Sequence, residues 1–369
     1  NIIKQDKKNF EIVLLSADGN YKELLKQAKI FKVRNLIINN KNSYKKIINN
    51  KISNNTKIYN DFNNLDKIFK KKINYTMSAI SGIQGLKPTI EMIKYSENIA
   101  IANKEAIICG WDLIKKQLVR NKTNFIPVDS EHFSIWYALK GIKKNLIEKI
   151  YLTASGGPFL KLALNKIKKV KIKQATNHPN WKMGKKISID SATMMNKIFE
   201  IIEAKKIFDI PYKKLSILIH PKSYVHAIIK YKNGISKIIV HDTNMKIPIF
   251  NTLYSSEKSI KTNSLDIEKL NNLEFQKVDL KRYPIINIKD KLPERSSLFE
   301  TILVSINDKL VDLFLNNKIK FTDISKKMNS ILDLREFKKF KMIKVKKIED
   351  IIFLNKKVEN KINFKLKIK

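Results

Sequence analysis

A single cysteine, Cys109, stands in 369 residues, which excludes an internal disulfide and any multi-cysteine metal site. Arginine is nearly as scarce: Arg34, Arg120, Arg282, Arg295 and Arg335 are all there is, so the forked donors favoured by base-reading and phosphate-clamping surfaces are largely missing. No stretch approaches the roughly 20 apolar residues that span a bilayer. The opening residues, Asn1 to Lys8, are polar and basic with no apolar core behind them, which excludes a signal peptide at that position. Also missing is the glycine-rich turn between first strand and first helix that seats a pyrophosphate in a dinucleotide-binding domain. These absences predict a soluble protein of a reducing compartment, with no membrane segment.

What is abundant is lysine. Lys and Arg number 74 against 34 Asp and Glu, a net charge of +40. Taken alone, that surplus points to a nucleic-acid partner. Its company of Asn and Ile, as in Asn49-Asn50-Lys51-Ile52, instead matches an A/T-rich coding sequence acting on tolerant surface positions. The milder consequence is a positive field that steers an anionic substrate.

With 43% apolar residues the chain can bury two or three cores. The first hundred residues alternate strand and helix, the pattern of a parallel α/β sheet. Strands are predicted over residues 10–15, 35–38, 75–81 and 99–102, with a helix over 21–31 and another opening at Pro88. The expectation is a Rossmann-type N-terminal domain over residues 1–128 whose first strand and glycine turn are missing, the chain opening in the later part of the helix that follows them. An α+β catalytic domain is predicted over 129–253, with strands between Ser216 and Val240 around a turn at Asn233-Gly234. A polar linker over 254–285 and a small C-terminal helical domain over 286–369 follow, with helical periodicity from Leu298 to about Leu332 and an ambiguous lysine-rich tail.

Several segments carry chemistry. Asp129-Ser130-Glu131 follows the apolar strand Phe125 to Val128, and residues two apart on an extended chain point the same way. Converging carboxylates without a histidine pair suggest a hard divalent cation; a solvated acidic turn is the plainer reading. His178-Pro179-Asn180-Trp181-Lys182-Met183-Gly184 places costly side chains in a loop, as a lid does, although a loop packed on its own domain would look alike. Asp190 or Ser191 is a suitable N-cap for a helix running to about Phe208, whose free N–H groups would face an anion. On it, Asn196, Lys197 and Glu200 share a face; a capped surface helix with a Lys–Glu pair reads the same way. Asn103-Lys104-Glu105 closes a strand where open α/β sheets bind ligands. Ser155-Gly156-Gly157 is an exposed backbone turn, able to approach an anion or simply to turn. Cys109, His220 and His226 read as structural.

In order along the chain, Ala102 to Glu105, Pro127 to His132, Thr153 to Phe159, His178 to Lys197, His220 to Ser223, Arg282-Tyr283-Pro284 and Phe321 to Ile324 resemble the 1-deoxy-D-xylulose 5-phosphate reductoisomerase family. The resemblance covers nearly the whole chain outside the tail. It implies that Asp129, Glu131 and Glu200 ligate Mg²⁺ or Mn²⁺. Ser155, Ser191, Asn196 and Lys197 would hold the substrate phosphate, and Ser130, Lys104 and His178 the sugar chain, with Lys104, Glu131 and His178 taking part in catalysis. Gly19, Asn20, Asn103, Glu105 and Gly184 would contact NADPH. The implied reaction rearranges and reduces 1-deoxy-D-xylulose 5-phosphate to 2-C-methyl-D-erythritol 4-phosphate, for isoprenoid synthesis.

The family also implies a homodimer in a bacterial cytoplasm, or in a plastid-type organelle if a targeting peptide precedes residue 1. Departures are Ile198 where the family usually has glycine, and Leu303 to Asp308 as a loose version of an alanine–asparagine–glutamate pattern. Asp18, beside Gly19, is expected to cap the helix beginning near Tyr21, leaving Lys22 to favour NADPH over NADH. The rivals are a basic nucleic-acid-binding protein, a dehydrogenase with another substrate, and an inactive homologue.

Overall fold

The computed structural model describes residues 2–48, 55–254 and 258–366; Asn49 to Ile52 and residues 255–257 of the polar segment lie outside the described residues. The chain divides into two compact units, Asn1–Asn103 with Lys116–Ile126, and Lys104–Lys115 with Pro127–Lys369.

The first unit is built from β1 (Leu14–Ala17), α1 (Tyr21–Phe31), β2 (Asn35–Ile38), α2 (Lys41–Ile48), β3 (Lys57–Tyr59), β4 (Ile73–Ser78), α3 (Leu86–Ile93), β5 (Ser96–Ile101) and β6 (Asn124–Pro127). Two three-stranded sheets result, ordered β1-β2-β3 and β4-β5-β6, with β1–β2, β2–β3 and β4–β5 all parallel. Helix α1 and strand β2 fall on the predicted residues. Leu24 and Ala28 of α1 pack with Val33, Leu36, Ile38 and Ile47 in one core, four of them at helical or strand spacing. Strand β1 starts later than the predicted residue 10, because its partner β2 offers only four residues to pair with. Strand β4 stops at Ser78 because the Asn103 side chain takes the carbonyls of Ile80 and Gly82 that a longer ladder would use. Asn20, not Asp18, caps α1: its side chain accepts from Glu23 N at 3.3 Å while Asp18 stands exposed. The amide sits at the position where the first-turn N–H groups are free, two residues closer to the helix than Asp18.

The second unit carries a mixed sheet of order β10-β9-β7-β8, from β7 (Ile147–Ala154), β8 (Leu215–Ile219), β9 (Val225–Tyr231) and β10 (Ser236–Val240). Around it lie the first turns of α4 (Lys104–Arg120), α5 (Ser130–Ala138), α6 (Lys185–Thr193) and α7 (Met195–Phe208). A helical layer of α8 (Phe299–Leu315), α9 (Phe321–Leu332) and α10 (Ile348–Lys365) completes it, with α8 packed on both other helices. Helix α10 occupies the ambiguous tail. Its lysines stay outside while Ile351, Leu354, Val358 and Ile362 are buried at 3–4 residue spacing, each contributing about 1.5–3 kcal/mol. The segment predicted as a linker ends in fixed structure: Arg282 Nη1 donates to Phe159 O and Leu162 O at 2.7 and 2.6 Å, and the Tyr283 hydroxyl to Gly156 O at 2.7 Å. Arg282 and Tyr283 thus brace the glycine turn from beneath.

Candidate active site

Asp129 does not sit on an extended strand with Glu131, as the spacing suggested. It is the N-cap of α5, accepting from Glu131 N at 3.2 Å, and Glu131 lies in the first helical turn. An aspartate after an apolar strand is a strong cap, and the cap wins over strand continuation. The carboxylates converge all the same. Asp129, Glu131 and, from α7, Glu200 each offer an oxygen, all within 4.8 Å of one another.

Two lysines and a histidine counter this charge. Lys104 pairs with Asp129 and lies 3.6 Å from Glu200 and 3.5 Å from Glu203. Lys197 pairs with both Glu131 and Glu200, and Asn196 donates to Glu200. His132 Nε2 donates to Glu200 O at 2.9 Å while Nδ1 faces Asp129 at 3.2 Å and Glu203 at 3.9 Å. Burial works against every charge here. For His132 it is overcome by Glu203 and Asp129, which push the imidazole up to about 9, so it is an imidazolium at neutral pH. Asp129 is held well below the usual carboxylate range, Lys104 outweighing burial, and Glu131 is lowered by Lys197 against the same opposition. The deficit falls on the other two. Burial and the neighbouring Glu131 push Glu200 up to about 8, and burial raises Glu203. A buried carboxyl beside a second carboxylate gains from a divalent cation, and an all-oxygen donor set fits a hard one.

The predicted anion-binding segments adjoin this cluster. Neither Asp190 nor Ser191 caps a helix. They lie in the last turns of α6, whose N-cap is Gly184, and the helix breaks at Met194 before α7 begins. Met194 is 1% exposed and left-handed, with φ 69°, a conformation that a methionine adopts only when its surroundings impose it. The helix N-terminus near the site is therefore that of α7, which begins beside Asn196 and Lys197. Gly157, with φ 65°, sits on α6 so closely that a Cβ would stand 3.0 Å from Ala192 Cα and 3.1 Å from Ser191 O. Ser155 Oγ accepts from Gly157 N at 3.0 Å and meets His178 Nε2 at 3.0 Å. His178 Nδ1 accepts from the N–H groups of Asn180 and Trp181 at 3.1 and 3.0 Å, so its one proton sits on Nε2 and is donated to Ser155. Burial and Lys197 lower His178 to about 4, which keeps it neutral.

Residues 176–184 border an open hollow of about 670 Å³. Asn180 tethers the loop, donating to Pro221 O and Ser223 Oγ at 2.6 and 2.8 Å. The Trp181 indole is not bare, as a pure lid would leave it: it stands edge-on to His226 with centroids 6.1 Å apart. His226 stacks on His241 at 3.7 Å, and burial followed by that neighbour holds it down at about 3. Sequence reasoning missed this pair. The β9–β10 hairpin pairs Val225 with Val240 and brings the two rings together, which a spacing of fifteen residues does not reveal. His132 and Glu203 were missed too, although each is three residues from a proposed ligand and so shares its helix face. His220, read as structural, stacks on Phe275 and holds Glu274 O at 2.9 Å. Cys109 is buried, as expected.

The residues predicted to meet a cofactor are placed as follows. Gly19 and Asn20 form the turn before α1, where Ser43 Oγ donates to Gly19 O at 2.9 Å. Asn103 is buried under the 80–82 turn. Glu105, in the first turn of α4, is paired with Lys186, and Gly184 is exposed at the head of α6. Ser130 donates to its neighbour Glu131; Ser191 is half-buried near the Gly157 turn. Ile198, at the position where glycine was expected, is fully buried in α7.

Comparison with known proteins is uniform. Residues 1–110 match the family model described as 1-deoxy-D-xylulose 5-phosphate reductoisomerase, residues 125–208 its C-terminal domain, and residues 241–361 a DXP reductoisomerase C-terminal domain. The 1-deoxy-D-xylulose 5-phosphate reductoisomerase of Pelagibacter ubique (strain HTCC1062) is 58% identical over 365 residues, covering 98% of this chain and 94% of the relative. A structure of the enzyme from Zymomonas mobilis in complex with NADPH superposes with a TM-score of 0.86 at 28% identity, covering 100% of this chain and 95% of that one. A crystal structure of DOX-P reductoisomerase in complex with NADPH, fosmidomycin and magnesium superposes with a TM-score of 0.90 at 30% identity, covering 100% and 94%.

Proposed function

The chain belongs to the 1-deoxy-D-xylulose 5-phosphate reductoisomerase family, and we infer from that premise what each part of its site does. The protein is an NADP-dependent oxidoreductase that converts 1-deoxy-D-xylulose 5-phosphate to 2-C-methyl-D-erythritol 4-phosphate. The observation that carries the reading is the convergence of three carboxylate oxygens beside Lys197 and the Ser155–His178 pair.

Asp129, Glu131 and Glu200 are the ligands we assign to Mg²⁺; when bound, the ion supplies Lewis-acid polarisation of the substrate's carbonyl and hydroxyl oxygens. NADPH supplies the hydride, and Gly19, Asn20, Asn103, Glu105 and Gly184 are the residues we assign to it. Lys197 carries the fixed positive charge for the substrate phosphate, with Asn196 beside it and the hydroxyls of Ser155 and Ser191 as donors. Ser155 already accepts two hydrogen bonds, so its own proton is free to be donated outward. His178, neutral with its proton on Nε2, can turn that hydrogen bond from Ser155 to a substrate oxygen, acting as a donor and not as a base. Lys104 and Ser130 orient the sugar chain, Lys104 exchanging its hold on Asp129 for a substrate oxygen. Glu131 stands between ligand and catalytic roles. Trp181, backed by His226, excludes water above the bound sugar. The same reading takes Mn²⁺ as an alternative ion, the protein as a homodimer and its location as cytoplasmic; each of these rests on family resemblance.

The test is NADPH oxidation by the purified protein. Turnover should require both the sugar phosphate and Mg²⁺, stop on chelation, and resume with added ion. Lys197→Ala should raise the KM for the sugar phosphate far more than that for NADPH. Turnover indifferent to chelation would overturn the metal assignment.

A further inference from the structure

A second, partly buried ion cluster lies in the same unit, outside the residues used above except for Glu105, with the Lys186 side chain 37% exposed. Lys186 Nζ stands 2.6 Å from Glu105 Oε1, 3.0 Å from Asp308 Oδ1 and 3.4 Å from Asp190 Oδ2. The three carboxylates come from α4, α8 and α6, with side chains 11%, 30% and 4% exposed. Asn307 Nδ2 donates to Asp190 at 2.7 Å. Asp308 Oδ1 is buried at ion-pair distance from the ammonium. Among the described residues no other lysine or arginine pairs with Asp190 or Asp308.

The place of this ammonium in the chain matters more than its bonds. Lys186 is two residues beyond Gly184, where the loop of His178 and Trp181 ends and α6 begins. The other end of α6 carries Ser191, lies against Gly157, and passes through the strained Met194 into the helix of Asn196, Lys197 and Glu200. On its far side Lys186 holds Glu105, the neighbour of Lys104. We propose that Lys186 is a positioning residue: by balancing three carboxylates from three helices it fixes the exit of the substrate loop and the carboxylate of Glu105, without touching substrate itself. The inference rests on the functional reading above, which assigns Ser191, Asn196 and Lys197 to the substrate and Glu105 and Gly184 to the cofactor. Remove the ammonium and three carboxylates remain close together, two of them in the interior. Their repulsion should grow as they ionise, and α6 should loosen from α4 and α8.

The experiment compares the parent with Lys186→Met, Asp308→Asn, their double variant and Lys186→Arg, as steady-state kinetics at pH 6 and pH 8. Lys186→Met should raise the KM for the sugar phosphate on the order of tenfold to a hundredfold. The loss should be deeper at pH 8 than at pH 6. Asp308→Asn alone should stay near the parent, and the double variant should recover most of the loss at pH 8, because one of the stranded charges is gone. Lys186→Arg should retain most activity at both pH values. A side chain that only fills space would lose equally at both pH values and gain nothing from Asp308→Asn, and that result would overturn the proposal. Should Lys186→Met be insoluble, soluble double variant supports the proposal and an equally insoluble one sinks it. If the parent itself does not turn over the sugar phosphate, the functional reading fails separately. The thermal midpoints of the same variants at the two pH values then decide the role of Lys186, by the same pattern of pH-dependent loss and rescue.

Discussion

The unit from Pro127 onward holds two ion clusters that share an ingredient list and differ in arrangement. Around Lys104 and Lys197, three carboxylate oxygens face one another within 4.8 Å, and each lysine bridges a pair of them. Around Lys186, one ammonium touches all three carboxylates, and among the described residues no such gathering of oxygens forms there. The first arrangement leaves its oxygens turned toward a common point; the second fills that point with a side chain of its own. A cluster open to an external cation should respond to added metal. One closed by its own lysine should respond only to substitution and pH.

The largest effect expected of this contrast is at Glu200. Its carboxyl is pushed up to about 8 by burial and by Glu131, which outweigh Lys197 and Lys104, so its charged form gains most from a bound ion. Glu200→Gln should reduce kcat/KM roughly a thousandfold or more, a loss on the order of 4 kcal/mol of transition-state stabilisation. Retained activity in this variant would remove Glu200 from the metal site and leave Glu203, raised in the same way, as the candidate to substitute next.

Added ion provides the next largest effect. Ligand that binds only the folded state stabilises by about 2.7 kcal/mol at a hundredfold excess over Kd. Mg²⁺ should therefore raise the melting temperature by several degrees in the parent. It should do so in Lys186→Arg as well, and should do little in Glu200→Gln. A rise that survives Glu200→Gln but vanishes in a Lys186 variant would reverse the roles assigned to the two clusters.

Much of this was legible in the sequence, for identifiable reasons. Helix α1 and strand β2 announce themselves because the helix buries one regular face, through Leu24 and Ala28, and β2 is a short apolar run buried on both faces. Asp129, Glu131 and Glu200 were named together through the family resemblance, and their carboxylates do converge, although the strand geometry invoked for the first two was wrong. Three things stayed hidden. The break at Met194 carries no glycine or asparagine to mark it, so the end of α6 and all of α7 read as one helix capped at Asp190 or Ser191. The apolar face of α10 is diluted by six intervening polar or charged residues, three of them exposed, and only its packing on α8 reveals it. The ion clusters join residues far apart in sequence, as in Lys186 to Glu105 and Asp308, and no local period encodes such a meeting.

The smallest effect separates the clusters by proton uptake alone. Burial pushes the Asp308 carboxyl up to about 7, Lys186 opposing it. Between about pH 4 and about pH 7 the folded chain therefore holds a proton there that the unfolded chain has already released. Folding stability contributed by this group falls as pH rises through that window and is level above it. Asp308→Asn removes the contribution, so its stability relative to the parent should improve toward pH 8. With the side chain 30% exposed, the gain should be on the order of 1 kcal/mol. Urea unfolding of the two proteins across this range measures it. If the variant is instead less stable than the parent at pH 8, the ammonium of Lys186 more than offsets the burial of Asp308. The carboxylate is then a net stabilising member of its cluster, and the rescue of Lys186→Met by Asp308→Asn should be read as relief of repulsion that exists only once the lysine is gone.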